Sequence, residues 1–439
     1  MDADALARRL EWFQDLKFGF FMHWGPYSQW GCIESWPLVE ADEWARPDDL
    51  PAWVERDRDL ARFRRDYFAL NRTFRPTRFD PAAWAAVARR AGTRYMCFTT
   101  KHHDGFCMYD TATTDYRVTH PDCPHSQAAQ PDIVRSVFDA FRAEDFAIAA
   151  YFSKSDWHCP WYWQPDRPAP DRNPNYDPLA EPETWERSVR FVHAQIEELM
   201  TDYGPVDILW LDGGQVQPPQ QDIRMDAIAA ASRRHQPGLL VVDRTVGGAN
   251  ENYRTPEQTV PDTPPDYVWE SCITLGDQWS YKPDDAYKSA RELVHLLVDV
   301  VSKGGNLLLN VGPTPEGELP AEAVRRLDEI GAWLDVNGQA IYGTRAVAPY
   351  KEGRVCYTRK GDTVYAIVLA EAGDESLPER LAVPSFSPAP GTEVRMLGVA
   401  HPLAWEPAGQ GMSVEVPDCV QEFPPSRHAV VLEIGTVAS

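Results

Sequence analysis

The stretch VDILWLDGG (residues 206–214) is unbroken and apolar from Ile208 to Leu211, then stops on Asp212 and two glycines. A strand with one wet face alternates apolar and polar residues. An unbroken run reads instead as a strand covered on both faces, as in a parallel sheet flanked by helices. The same texture recurs along the chain in KFGFFMHWG (17–25), RYMCFTTKHHDG (94–105), FAIAAYFSKSDW (146–157), LLVVDRTVGG (239–248), YVWESCIT (267–274) and NLLLNVGP (306–313). Most of these runs end in polarity.

Amphipathic stretches separate the runs. Beyond Glu183, Trp185, Val189, Val192, Ile196 and Leu199 recur at steps of four and three, which gives a helix one apolar face. Leu293, Val294, Leu297, Val300 and Val301 repeat the pattern before Lys303 and Gly304, a cationic last turn and a C-terminal glycine. Pro320 opens a further helix with Val324, Leu327, Ile330 and Leu334 facing inward, and Gly338 closes it. Seven strand–helix alternations across residues 1–345 predict an α/β fold, a (β/α)8-like TIM-type barrel. An open doubly wound sheet fits less well, because no GxGxxG opens a helix. From residue 346 to 439 the texture changes. RVCYTRKGDTVYAIVLA and HAVVLEIG read as strands between Pro/Gly-rich turns, predicting a β-sandwich domain without a helix.

Bulk properties exclude several classes. The chain has 439 residues, enough for two domains, and a net charge of −23 that repels a phosphate backbone, so no nucleic-acid partner is expected. No apolar run reaches the length of a membrane span, and the N-terminal residues lack the basic and apolar regions of a signal peptide. The eight cysteines form no CxxC pair and are expected as free thiols. The expectation is a soluble cytoplasmic protein without a membrane partner, the alternative being a secreted protein whose signal has been removed. Assembly into a homo-oligomer is left open.

The strand ends carry the chemistry. In a parallel barrel they converge on one mouth. Here they bring His23 and Trp24, with Glu34 and Trp36 following; then His102, His103 and Asp104; Tyr151, Ser153, Asp156 and Trp157; Trp210 and Asp212; Asp243 and Arg244; and Glu257, Glu270 and Asn310. Each alone has an ordinary explanation in turns or ion pairs, but seven strands ending this way together point to a functional mouth. A metal is not expected. Adjacent strand residues face opposite ways, so His102 and His103 can share an ion only where the strand has broken, and no HxH, HExxH or CxxC accompanies them. No GxSxG elbow suggests a serine nucleophile. Carboxylate chemistry remains. Glycoside hydrolysis needs one ionised carboxylate and one protonated one. Asp212 suits the first role, with Gly213 and Gly214 leaving room for an anomeric carbon. Trp210 projects to the same side to pack on a sugar, and Arg244 helps keep a carboxylate ionised.

KFGFFMHWGPYS, YMCFTTKHHDGFCMYD, DILWLDGG, DVVSKGGNLLLNVGPTPEGELP and IGAWLDVNGQAIYGT together resemble the α-L-fucosidases of glycoside hydrolase family 29, over roughly residues 12 to 345. The resemblance implies a retaining exo-α-L-fucosidase that needs no cofactor or metal, acts on fucosylated glycosides and passes through a covalent fucosyl-enzyme intermediate. By motif it carries the nucleophile over to Asp212 and fucose-binding residues to His23, His102, His103, Tyr151, Trp210 and Arg244. Glu34 resembles an active-site glutamate following HWG. In this chain the CIESW sequence separates Glu34 from Trp36, where many members have an adjacent pair. The acid/base lies in a variable part of the family. Glu257 is the first choice and Glu270 the alternative. Two other readings compete: a glycosidase for the related α-L-galactosides, and a carbohydrate-binding protein without catalysis.

Overall fold

The computed structural model describes residues 1–371, 373 and 376–436; residues 372, 374, 375 and 437–439, all within the expected C-terminal domain, lie outside the described residues. Seven strands build the first sheet: β1 (Phe18–Met22), β2 (Tyr95–Lys101), β3 (Ala147–Ser153), β4 (Ile208–Asp212), β5 (Leu240–Asp243), β6 (Glu270–Thr274) and β7 (Asn306–Val311). Every pairing is parallel, in the order β5-β4-β3-β2-β1-β7-β6. All the strand residues are buried except Asp212. That burial explains why the runs carry no polar alternation.

Side chains nevertheless alternate between two apolar environments. Phe21, Tyr95, Cys97, Tyr151, Trp210, Val242 and Leu308 pack together inside the curled sheet. Phe20, Met22, Phe98, Phe152, Leu211 and Leu309 face outward into the layer formed with the helices. The helices expected from periodicity form as Pro182–Asp202, Ala290–Ser302 and Ala321–Asn337. Gly338 stays in right-handed geometry and leads into a short 3-10 turn rather than ending the helix in a left-handed cap. At the N-terminal end of the barrel, helix Ala3–Leu16 places Phe13 against Tyr253, with ring centroids 4.2 Å apart.

The barrel has one irregular stave. Among the described residues no regular strand lies between β5 and β6. Residues 251–258 occupy that position, with Glu251 bridging Val242, Arg254 bridging Trp269 and Glu257 bridging Cys272. The sequence RTPEQTVPDTPP explains the irregularity, since its prolines remove donors that a regular ladder needs. Glu257 therefore enters the mouth from an unusual segment rather than from a helix or regular strand.

The second unit is antiparallel. Strands β8 (Arg345–Glu352), β9 (Val355–Lys360), β10 (Thr363–Leu369), β11 (Arg380–Val383), β12 (Val394–Met396), β13 (Trp405–Ala408), β14 (Gly411–Glu415) and β15 (Ala429–Gly435) form sheets ordered β12-β15-β10-β9-β8 and β11-β14-β13. Tyr357, Val364, Leu381, Val383, Met412, Val414 and Leu432 share the core of this sandwich. A short helix, Asp418–Glu422, corrects the expectation of no helix here. At five residues it is too short to show an apolar period. Trp333 Nε1 donates to the Ala429 carbonyl (2.9 Å), tying the sandwich to the last barrel helix.

Candidate functional site

A cavity of about 560 Å³ opens at the C-terminal ends of the strands, within the 300–1,000 Å³ range typical of small-ligand sites. The strands deliver its lining in order. Phe21, Tyr151 and Trp210 point inward on β1, β3 and β4, and one step further along β1 and β4 come His23 and Asp212. The loops add Glu34, Trp36, His102, His103, Arg244, Glu257 and Trp279.

Asp212 is held from several sides. Its Oδ1 accepts from Arg244 Nη1 (3.0 Å) and the Gly213 amide (2.8 Å), while Oδ2 accepts from the Tyr151 hydroxyl (2.8 Å) and lies 3.6 Å from His103 Nε2. Gly213 sits at φ +89°, a backbone conformation that glycine adopts without steric cost. Burial alone would raise the Asp212 pKa. The Arg244 charge, His103 and the hydrogen bonds outweigh it, and hold the carboxyl well below its ordinary range. Asp212 is thus ionised at neutral pH.

Arg244 does more than neutralise one acid. Its Nη2 donates to Glu257 Oε2 at 2.6 Å, its Nε to Thr255 Oγ1 at 3.2 Å, and its guanidinium lies over the Trp210 ring, 4.8 Å from the centroid. One planar guanidinium therefore fixes two carboxylates at once. Burial disfavours its charge, but Asp212 and Glu257 more than restore it and raise its pKa.

The histidines are neutral at pH 7. Burial pushes His23 and His103 down to about 4 and His102 well below its ordinary value. His23 Nδ1 donates to Asn310 Oδ1 (2.7 Å), because the Asn310 amide nitrogen is already donating to the Trp279 carbonyl (2.6 Å). That tautomer leaves His23 Nε2 as an acceptor. Ser35 Oγ accepts from the Asp104 amide (3.0 Å) and shares a hydrogen bond with His102 Nδ1 (2.5 Å), holding that ring in place with its Nε2 unengaged by Ser35. Both rings are thus held by polar neighbours at the mouth, where a hydroxylated ligand would meet them. Glu34 is fully buried. Its Oε1 accepts from the Ser280 amide (2.5 Å), and its Oε2 has no partner among the described residues. Burial pushes it up to about 8 despite the Ser280 bonds, and nearby Glu257 adds to the rise. At pH 7 it is a carboxylic acid with a proton to offer.

Two candidates sit elsewhere. Trp24 points away from the cavity into Phe74, Phe79 and Trp84, and its Nε1 donates to the Thr314 carbonyl (2.9 Å). Being adjacent to His23, it takes the opposite face, so it is core and not a cavity wall. Glu270 is buried beneath the floor, accepting from Tyr95 Oη (2.7 Å) and Trp210 Nε1 (3.0 Å). It orients Trp210 and does not line the cavity. Of the other strand-end acids, Asp104 binds Tyr67 (3.0 Å), Asp156 binds Lys101 (3.1 Å) and Asp243 pairs with Lys154.

His102 and His103 both line the cavity because β2 ends at Lys101, after a register shift between Thr99 and Lys101. The strand break that the sequence argument made the condition for their sharing an ion is therefore present. Ligand atoms of His102, His103 and Asp212 lie within 4.8 Å of one another. The donor set still suits a cation poorly, since a guanidinium already occupies the Asp212 carboxylate. Sequence reasoning missed Phe21, Trp44, Arg172, Gln215, Gln217, Thr245, Cys272 and Trp279. Trp44 and Trp279 stand in polar, Gly/Asp-rich loops, where a large aromatic ring was a usable signal.

The model of the α-L-fucosidase family matches residues 2–339, and that of the α-L-fucosidase C-terminal domain matches residues 350–435. An α-L-fucosidase of Branchiostoma floridae is 29% identical over 97% of this chain and 93% of its own length. The tissue α-L-fucosidase of Homo sapiens is 28% identical over 97% and 89%. Among solved structures, α-L-fucosidase isoenzyme 1 from Paenibacillus thiaminolyticus has a TM-score of 0.80 at 31% identity, covering 99% of this chain and 100% of that one. Thermotoga maritima α-fucosidase in complex with fucose has a TM-score of 0.78 at 28% identity, covering 99% of both. The chain belongs to the α-L-fucosidase family, glycoside hydrolase family 29, and is a glycoside hydrolase.

Proposed function

We propose that this family member removes terminal α-L-fucosyl groups from glycosides with retention, Asp212 acting as nucleophile and Glu257 as acid/base. The observation that carries the reading is the single Arg244 guanidinium bound to both carboxylates. The clamp brings the two acids to one side of the mouth, and the retaining reading requires their carboxyls to stand roughly 5–5.5 Å apart around a bound sugar. The Asp212 carboxylate attacks C1 as the C1–O bond breaks, while Glu257, which must part from Arg244 and take up a proton as the glycoside binds, gives that proton to the departing oxygen. An aspartyl ester of fucose results. Water then attacks C1, losing a proton to Glu257, and Asp212 leaves as a carboxylate. Asp212 suits the first part because it is ionised and anchored. Glu257 suits the second because its side chain is 45% exposed at the mouth, where a leaving group departs. Glu270, enclosed by Tyr95 and Trp210, reaches neither face of a bound sugar.

The donors and acceptors fit a hydroxyl-rich ring: His23 accepts, protonated Glu34 donates, and His102 adds a further ring nitrogen. Phe21, Trp210, Trp279 and Cys272 supply an apolar side to the cavity. A C6 methyl group buries there without loss, whereas the C6 hydroxyl of an L-galactoside needs a partner. Since an apolar pocket rejects an added hydroxyl only by about a hundredfold, fucosides are preferred and galactosides remain poor substrates.

The test is hydrolysis of 4-nitrophenyl α-L-fucoside with a chelator present, wild type beside Asp212→Ala. A 2-fluoro-fucosyl fluoride trap, followed by peptide mass mapping, accompanies it. Turnover by wild type alone, with the label on Asp212, is expected. A folded Asp212→Ala protein at wild-type rate, or a label elsewhere, overturns the assignment.

A further inference from the structure

Beside the strand-end cavity lies a second depression of about 490 Å³, lined by Asn173, Tyr176, Gln215, Gln217, Gln220 and Gln221 among prolines. Gln215 and Gln217 line both spaces, so the two adjoin across these side chains. The depression runs between the long loop after β3 and the loop after β4. It is a built groove rather than a loose gap. Tyr162 Oη donates to Gln221 Oε1 (3.1 Å), and Gln221 Nε2 donates to Asn173 Oδ1 (2.8 Å), locking one loop to the other. Gln221 itself is 6% exposed.

At the rim of the cavity stands Trp44, 56% exposed, an uncommon position for a large apolar ring. It is fixed in place. Trp44 Nε1 donates to Asp42 Oδ1 (3.2 Å), Asp42 accepts from Arg172 Nε (2.9 Å) and Nη2 (2.8 Å), and Arg172 lies over the Trp36 ring, 4.2 Å from its centroid. Holding an exposed indole this firmly offers a flat platform at little entropic cost on binding.

We propose that Trp44 and the amide-lined groove form the aglycone-binding region for a neutral oligosaccharide, with the first sugar beyond fucose stacked on Trp44. This rests on the fucosidase reading above. Amide side chains both donate and accept, matching sugar hydroxyls. The second depression has no charged residue among its described lining, and Arg172 beside the platform is already paired with Asp42. An acidic glycan gains nothing in that groove and meets a chain of charge −23. A gluco-configured pyranose presents the flat C–H face that an indole covers.

The experiment compares kcat/KM for α-L-fucosyl fluoride, which has no aglycone sugar, with that for a neutral fucosylated trisaccharide and its sialylated counterpart. It uses wild type, Trp44→Ala and Gln220→Ala. The ratio of trisaccharide to fluoride is expected to fall about tenfold in Trp44→Ala, equal to about 1.4 kcal/mol, and two- to threefold in Gln220→Ala. Wild type is expected to prefer the neutral trisaccharide over the sialylated one. Ratios within twofold of wild type in both variants, or equal use of the two glycans, overturn the groove. Wild type inert towards the fluoride overturns instead the fucosidase reading beneath it.

Discussion

Replacing Glu34 by glutamine should stabilise the protein, and by an amount that grows with pH. Glu34 is fully buried, and burial is the main reason its pKa is pushed up to about 8 from an ordinary 4.5. Below pH 4.5 the folded and unfolded states both carry the proton, so it costs folding nothing. Between pH 4.5 and 8 the unfolded chain gives the proton up and the folded chain retains it, which costs the fold about 1.4 kcal/mol per pH unit. The stability present at low pH is thus lost as pH rises towards 8. From pH 5 to pH 7.5 the loss reaches roughly 3 kcal/mol by that slope. Glutamine keeps the shape and an acceptor for the Ser280 amide but has no proton to lose. Asp104 and Glu270 are also raised by burial, each to about 7, yet both remain in either protein and cancel in the difference. The measurement is Tm of wild type and Glu34→Gln by differential scanning calorimetry at pH 5 and 7.5. For a barrel of this size the gap between the two should widen by about 4 °C. A gap that stays constant refutes a protonated, desolvated Glu34. One that narrows shows the carboxylate to be ionised in the fold.

Other substitutions separate the remaining roles. Arg244→Met removes the charge that holds Asp212 ionised, so the acid limb of kcat/KM against pH should move up by roughly 1–3 units; an unmoved limb would mean Arg244 does not set that pKa. Glu257→Ala should slow poor leaving groups more than a hundredfold while sparing activated aryl fucosides, with azide restoring turnover. Glu270→Gln should show no such leaving-group dependence, and the opposite pattern would exchange the two residues. Trp24→Phe should lower Tm through the lost Thr314 bond and core volume, costing about 1–3 kcal/mol, with KM for 4-nitrophenyl α-L-fucoside unchanged.

The sequence alone determined the layers and the chemistry at the strand ends. Unbroken apolar runs such as Ile208–Leu211 can be satisfied only where both faces are covered, and helical spacing at Trp185 to Leu199 supplies the cover. Because parallel strands share one polarity, Asp212, Arg244 and the histidines had to converge on one mouth whatever the details of packing. Tertiary structure decided which neighbours turn inward. Trp24 and His23 are adjacent and equally suited to a sugar site by type, but only His23 faces it. His102 and His103 both do, because the strand breaks at Lys101. Glu257 and Glu270 look alike in sequence and differ entirely in burial, one clamped by Arg244 at the mouth and the other sealed under Trp210. The wall that includes Trp44, Arg172 and the glutamines comes from loops distant in sequence. The reason is physical: periodicity fixes which residues share a face within an element, whereas a cavity is assembled from loops whose course depends on long-range hydrogen bonds and steric fit that no local pattern encodes.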